Sequence, residues 1–237
     1  MPVATMLAHL AEAPERAALL LDVDGTLAPI AQRPEDAAVP DEARAELERL
    51  AARYALVAFV SGRAGEDARR VVGLPQLTYV GAHGLELEPD AEQWRQRLHD
   101  FAAGVDWPVE DKGLSLSFHY RTAADEDAAR ATLEQVAEEA RRAGLRPRFG
   151  RKVLEVSPPV DASKETAVRT LLEHAGLRRA LYAGDDTTDL DAFRGLDGLE
   201  LAIRVAVASP EGPADLGAAA DLVVDGPQGL LELLRRL

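Results

Sequence analysis

Leu21-Asp22-Val23-Asp24-Gly25-Thr26-Leu27 decides how this chain is read. Two carboxylates stand two residues apart directly after the apolar run 17–21, and a glycine turn follows them. A buried strand ending this way brings a nucleophile, a proton carrier and exposed backbone N–H groups to one place. That set suits a magnesium-assisted phosphoryl transfer. Taken alone, the same residues also fit a turn with two solvated acids, so the rest of the chain has to decide.

Around this stretch apolar runs alternate with helical patterns. The strand 17–21 is followed by a helix over 40–54, with Leu47 and Leu50 facing inward, and by a buried strand over 55–60 that ends at Ser61-Gly62-Arg63. A helix over 66–72 and a strand over 77–80 follow, closed by Gly81-Ala82-His83-Gly84. This order predicts an α/β fold: a Rossmann-like parallel sheet with helices on its faces.

From about residue 85 the character changes. Residues 114–120 alternate polar and apolar side chains, as a strand with one exposed or ligand-facing side does. Residues 125–142 form a long amphipathic helical pattern rich in alanine and charge, and 145–149 and 152–156 read as two strands joined near Gly150. The middle third is therefore expected to be a small α+β domain inserted into the sheet domain. After Pro158-Pro159 the alternation resumes with a helix over 163–175 and a strand over 180–183 that ends at Gly184-Asp185-Asp186. A helix over 189–195, strands over 201–207 and 222–224, and a helix over 227–237 complete the chain. The expected domains are a core from 1–84 and 159–237 and an insert from 85–158.

Composition narrows the chemistry. The 237 residues are 47% hydrophobic and 29% charged, with a formal net charge of -14 and no cysteine. Excess negative charge argues against a nucleic-acid partner and against docking on anionic membranes. It also makes a divalent cation necessary if the substrate is an anion. The absence of cysteine removes disulfides, zinc–thiolate sites and thiol nucleophiles. No apolar run approaches membrane-spanning length, and no charged-then-apolar leader pattern opens the chain. A soluble cytoplasmic protein is expected.

Four pieces fall at strand ends, where a doubly wound sheet gathers its active site. Asp22 and Asp24 are the first. Ser61 can hold a phosphoryl oxygen just beyond a buried strand. Lys164 opens the helix after the insert and offers the cation that an incoming dianion needs. Asp185, Asp186 and Asp189 put three carboxylates within five residues after an apolar strand, an arrangement that repels itself unless a cation binds.

In this order the motifs resemble the haloacid dehalogenase superfamily of phosphatases across the whole chain. Within it the chain is similar to the trehalose-6-phosphate phosphatase family. The stretches that carry this likeness are Asp24-Gly25-Thr26-Leu27-Ala28-Pro29-Ile30, Gly81-Ala82-His83-Gly84, Glu110-Asp111-Lys112 with His119-Tyr120-Arg121, Gly150-Arg151-Lys152-Val153-Leu154-Glu155, and Gly184-Asp185-Asp186-Thr187-Thr188-Asp189-Leu190-Asp191-Ala192-Phe193. The resemblance implies a core plus a substrate-selecting α+β cap, and a Mg²⁺ cofactor. It makes Asp22 the nucleophile that becomes an aspartyl-phosphate, and Asp24 the acid and then the base. Ser61 and Lys164 would hold the phosphoryl group. The metal would take Asp22, the Asp24 carbonyl, Asp185 and, through a water, Asp189, with Asp186 the open question. Gly62, Arg63, His83, Glu110, Lys112, Arg151 and Glu155 would bind the substrate, a phosphorylated disaccharide, and the protein would act as a monomer. Hinge motion is expected near 84–88 and 157–160.

One departure stands out: Glu165 follows Lys164 where the family usually has glycine, which adds a negative charge beside the phosphate. Related readings are a phosphatase for sucrose phosphate or mannosyl-3-phosphoglycerate, and a non-catalytic sugar-phosphate sensor on the same fold.

Overall fold

The computed structural model describes residues 2–31, 33–150, 152–209 and 212–237. Contacts divide the chain into two compact units: Met1–Gly84 with Ala162–Leu237, and Leu85–Asp161.

In chain order the first unit begins with α1 (Val3–Glu12), β1 (Ala18–Leu21), α2 (Asp41–Ala51), β2 (Leu56–Val60), α3 (Gly65–Val72) and β3 (Thr78–Val80). The second unit holds α4 (Arg95–Ala103), β4 (Glu110–Asp111), β5 (Leu116–His119), α5 (Glu126–Arg142), β6 (Arg146–Gly150) and β7 (Val153–Ser157). The chain then returns to the first unit with α6 (Lys164–Ala175), β8 (Arg179–Gly184), α7 (Asp189–Gly195), β9 (Leu201–Ala208), α8 (Ala214–Ala219), β10 (Leu222–Asp225) and α9 (Gly226–Leu234).

The first unit is built on a six-stranded parallel sheet of order β10-β9-β8-β1-β2-β3. Every residue of β1 is fully buried, as a strand covered by helices on both faces requires. Leu19 and Leu21 pack in one cluster with Val57, Phe59, Leu181 and Ile203, and α2 adds Leu47 and Leu50 to it. From β1 the chain runs to β2 and β3 on one side and is met by β8, β9 and β10 on the other. The strand order therefore reverses between β1 and β8, where open α/β sheets leave a crevice at the carboxyl ends of their strands. Asp22 leaves β1 at that point, and its N–H still bonds the Ala183 carbonyl of β8 at 2.9 Å.

The second unit is a four-stranded antiparallel sheet, β4-β5-β7-β6. One face carries Leu116, Phe118, Leu154 and Val156 against Leu133, Val136, Ala137 and Ala140 of α5. The register places Glu110 opposite Ser117, Ser117 opposite Glu155, and Glu155 opposite Arg148. Directly opposed residues share a face, so these four form one row across the other, polar side of the sheet. Asp125 caps α5 by accepting the Ala128 N–H at 3.0 Å.

The mixed α/β architecture agrees with the sequence expectation. The elements that patterning alone did not yield are α1, α4, β4 and α8. Among the described residues no helix is long and apolar enough to cross a membrane.

Candidate active site

The turn after β1 is tight and specific. Gly25 donates to the Ala28 carbonyl at 2.8 Å, and both Leu27 and Ala28 donate to the Val23 carbonyl at 2.9 Å. Gly25 sits at φ +75°, and a Cβ there would lie 2.0 Å from Asp185 Oδ2. Glycine is required twice over, for the left-handed backbone and for the approach of Asp185. The fully buried Thr26 hydroxyl donates to Asp185 Oδ1 at 3.1 Å and lies 3.5 Å from Asp22 Oδ2, linking the turn to the end of β8.

Lys164 stands at the start of α6, whose first turn is fixed by a capping box between Ser163 and Thr166. Its Nζ donates to Asp22 Oδ1 at 2.8 Å and to Asp189 Oδ1 at 2.7 Å, with all three residues buried. Burial alone would lower the lysine pKa, but the charges of Asp189 and Asp22 outweigh it and hold the group above its ordinary value. Asp189 Oδ1 also accepts the Tyr182 hydroxyl at 2.7 Å, and Oδ2 accepts the N–H groups of Asp185 at 3.0 Å and Asp186 at 2.9 Å. Asp189 thus holds the lysine with one oxygen and the Asp185-bearing turn with the other. The Asp186 side chain is exposed and accepts the Thr187 N–H at 2.7 Å.

Asp22, Asp185 and Asp189 each offer an oxygen within 4.8 Å of the others. Three carboxyl groups therefore face one ammonium. Burial pushes Asp22 up to about 7, with Asp189 adding to the rise and Lys164 opposing it. Burial and then the charges of Asp22 and Asp189 push Asp185 up to about 8. Such a surplus of buried, hard oxygen donors fits a divalent cation.

Ser61 directly follows β2, is buried, and its Oγ accepts the Arg63 N–H at 3.2 Å. The neighbouring turn is strained: Ala82 and His83 both adopt positive φ, at 49° and 54°, costing roughly 1–2 kcal/mol each. The Ala82 N–H reaches the Arg63 carbonyl at 2.7 Å and the His83 N–H reaches the Ser61 carbonyl at 2.9 Å. The His83 ring then lies on Gly62, where a Cβ would come within 2.7 Å of Cε1. Ser61, Gly62, Arg63 and His83 are thus brought together in the first unit. Arg63 itself pairs with Asp24 rather than standing open.

Within the second unit, Lys112 Nζ lies 3.9 Å from both Glu110 Oε2 and Glu155 Oε1, and His119 Nε2 is 2.9 Å from Glu110 Oε2. Three of the expected substrate-binding residues share one polar cluster there. Arg151 lies outside the described residues. Thr26 and Tyr182 are the site groups that sequence reasoning did not single out. Glu165 is drawn off by Arg169 at 3.1 Å and Arg194 at 3.2 Å, so its charge is neutralised on the helix surface.

A parallel sheet of this order and a separate α+β unit between β3 and α6 define the class by fold, that of a solved haloacid dehalogenase-like hydrolase from Bacteroides thetaiotaomicron, with TM-score 0.60 and 16% identity over 93% of this chain and 98% of that one. The chain belongs to the trehalose-phosphatase family, a family of phosphoric monoester hydrolases, whose family model matches residues 20–107 and 103–220. A rice relative (Oryza sativa subsp. japonica), "Probable trehalose-phosphate phosphatase 2", is 31% identical over 94% of this chain and 68% of its own length. The "Trehalose-phosphate phosphatase" of Mycobacterium marinum is 34% identical over 94% of this chain, which spans 61% of that relative. The solved C-terminal domain of the C. albicans trehalose-6-phosphate phosphatase shares the fold, with TM-score 0.73 and 22% identity over 99% of this chain and 95% of that one.

Proposed function

We propose that the chain hydrolyses trehalose 6-phosphate to trehalose and inorganic phosphate. The observation that carries this reading is the Asp22 carboxylate at the end of β1, held by Lys164 Nζ at 2.8 Å beside Asp185 and Asp189. Asp22 attacks phosphorus, a bond from its oxygen forms as the bond to the sugar oxygen breaks, and Asp24 gives its proton to the departing alkoxide. Water then attacks the aspartyl-phosphate, Asp24 takes the water's proton, and the bond between phosphorus and Asp22 breaks. Lys164 and Ser61 hold the phosphoryl group. A Mg²⁺ ion held by Asp22, the Asp24 carbonyl and Asp185, with Asp189 behind them, would supply charge neutralisation at the phosphoryl oxygens.

Glu110, Lys112 and Glu155 supply charged partners suited to sugar hydroxyls, and Gly62, His83 and Arg151 belong to the same proposed substrate set. The names of the rice and mycobacterial relatives support a trehalose phosphate as the substrate, and the C. albicans structure of the same fold carries 6-phosphate in its name. The reading includes a monomer acting in the cytoplasm.

Phosphate release with Mg²⁺ tests it, on trehalose 6-phosphate beside sucrose 6-phosphate, glucose 6-phosphate and mannosyl-3-phosphoglycerate, with Asp22→Asn as the blank. Preference for trehalose 6-phosphate is expected. Preference for another panel member would overturn the substrate, and no release from any would overturn the enzyme reading.

A further inference from the structure

The proton carrier of the proposed reaction does not stand alone. Arg63 Nε donates to Asp24 Oδ2 at 2.6 Å, and Nη2 donates to Asp24 Oδ1 at 2.8 Å, a two-pronged ion pair between residues 39 apart in sequence. Its third nitrogen, Nη1, donates to Asp67, in the first turn of α3. Asp67 is in turn held by Arg70, through Nη2 at 2.7 Å and Nε at 3.0 Å. The Arg63 side chain is 14% exposed and that of Asp24 32% exposed. The guanidinium therefore lies behind the carboxylate and leaves its open side to solvent.

We propose that Arg63, braced by Asp67, is the positioning residue for Asp24. This rests on the phosphatase reading above. Each carboxylate oxygen has two acceptor directions. Arg63 takes one on each oxygen and so fixes the plane of the carboxylate and the direction of those left over. A lone aspartate in a turn would rotate about two side-chain bonds and spend only part of its time aimed at the leaving oxygen. A planar fork gives that restraint in full, where a lysine would keep the charge and a single bond but not the plane. The Arg63 N–H also bonds Ser61 Oγ, so one turn sets the phosphoryl-holding hydroxyl and the aim of the proton carrier together. Had Arg63 instead to grip the phosphoryl group, it would first have to abandon both bonds to Asp24.

The leaving group separates these roles, because p-nitrophenolate departs without a proton whereas a sugar alkoxide needs one. Steady-state turnover of trehalose 6-phosphate and first-turnover release of p-nitrophenol from p-nitrophenyl phosphate are compared for wild type, Arg63→Met, Arg63→Lys and Asp67→Asn. If Arg63 acts through Asp24, Arg63→Met lowers kcat on the sugar phosphate by about 10²-fold. KM then stays within about twofold and the p-nitrophenol step stays near the wild-type rate. Arg63→Lys recovers part of the loss. In an Asp24→Asn background, Arg63→Met adds no further loss, since groups acting as one unit are not additive.

Asp67→Asn, on a half-exposed helix position, keeps the test open should Arg63→Met fold poorly; about threefold to tenfold lower kcat with unchanged KM is expected. Raised KM and equal slowing on both substrates would assign Arg63 to the phosphoryl group and overturn the proposal. So would an undiminished Arg63→Met effect in the Asp24→Asn background. Absence of any wild-type turnover would overturn the phosphatase reading itself and this proposal with it.

Discussion

Tyr182 donates its phenolic O–H to Asp189 Oδ1 at 2.7 Å, and both side chains are fully buried. The same oxygen accepts Lys164 Nζ, so the tyrosine steadies the carboxylate that steadies the lysine. Removing the hydroxyl leaves the ring packing edge-on against Phe193 unchanged. A hydrogen bond to a buried charge contributes about 1.5–3 kcal/mol. Tyr182→Phe is expected to lower the free energy of urea unfolding by that amount, and an unchanged midpoint would refute the bond's contribution.

Asp22 and Asp185 make the metal-free protein sensitive to pH in an unusual direction. Both have folded-state pKa values pushed up, to about 7 and about 8, from an ordinary value of 3.8. Between pH 4 and 8 the folded state therefore holds protons that the unfolded chain releases, and stability falls as pH rises. Thermal unfolding in EDTA should show a falling Tm from pH 5 to pH 8. Mg²⁺ should recover most of the loss at pH 8, because a cation replaces the protons. A Tm in EDTA that rises over this interval would contradict the burial of these charges.

Asp22→Asn should separate stability from activity. The substitution deletes a carboxylate whose charged form burial disfavours, while Lys164 keeps Asp189. No turnover is expected, together with a metal-free stability at pH 8 equal to or above that of wild type and a smaller Tm gain from Mg²⁺. Loss of stability at pH 8 would mean that the Lys164 pairing outweighs desolvation at this position.

Gly25→Ala is expected to harm the site through geometry alone. The backbone at φ +75° disfavours any Cβ, and the new methyl would meet Asp185 Oδ2. A loss above about 1 kcal/mol is expected, with a weakened Mg²⁺ response in calorimetry. An unaltered metal titration would show that Asp185 can move aside without cost.

Lys112→Met is expected to act on the sugar and not on the chemistry. Lys112 lies 3.9 Å from both Glu110 and Glu155, and its loss leaves these two like charges, on either side of Ser117 in one sheet row, without their shared cation. KM for trehalose 6-phosphate should rise, with p-nitrophenyl phosphate turnover unchanged. Equal loss on both substrates would remove this cluster from the specificity reading.

Asp22, Asp24, Lys164 and Asp185 could be read from the sequence because each follows or opens an element whose apolar pattern is strong, so its place at a strand end or helix start was fixed by periodicity. Tyr182 could not: within the apolar run of β8 it looks like strand filling, and only the third dimension turns its hydroxyl toward Asp189. The Arg63–Asp24 pair was hidden for a similar reason, since no local rule joins residues 39 apart. Glu165 was half legible. Its bond to Arg169 is ordinary helix spacing four residues on, whereas Arg194 arrives from α7. Helix α4 escaped because Leu98 is its one buried side chain, too few to set a period.

The pairing of β1 with β8 also governs how the chain must come into being. It joins Ala18 to Ala180, about 160 residues later, and the whole of Leu85–Asp161 emerges from the ribosome in between. During synthesis β1 can acquire β2 but must wait with its other edge bare, a template for association with a neighbouring chain. The second unit, compact in itself, can fold in that interval and draw the ends of its segment together, shortening the loop that β8 has to close. A chain released before Arg179 is therefore the aggregation-prone species of this protein, and early folding of the inserted unit is what shortens the wait.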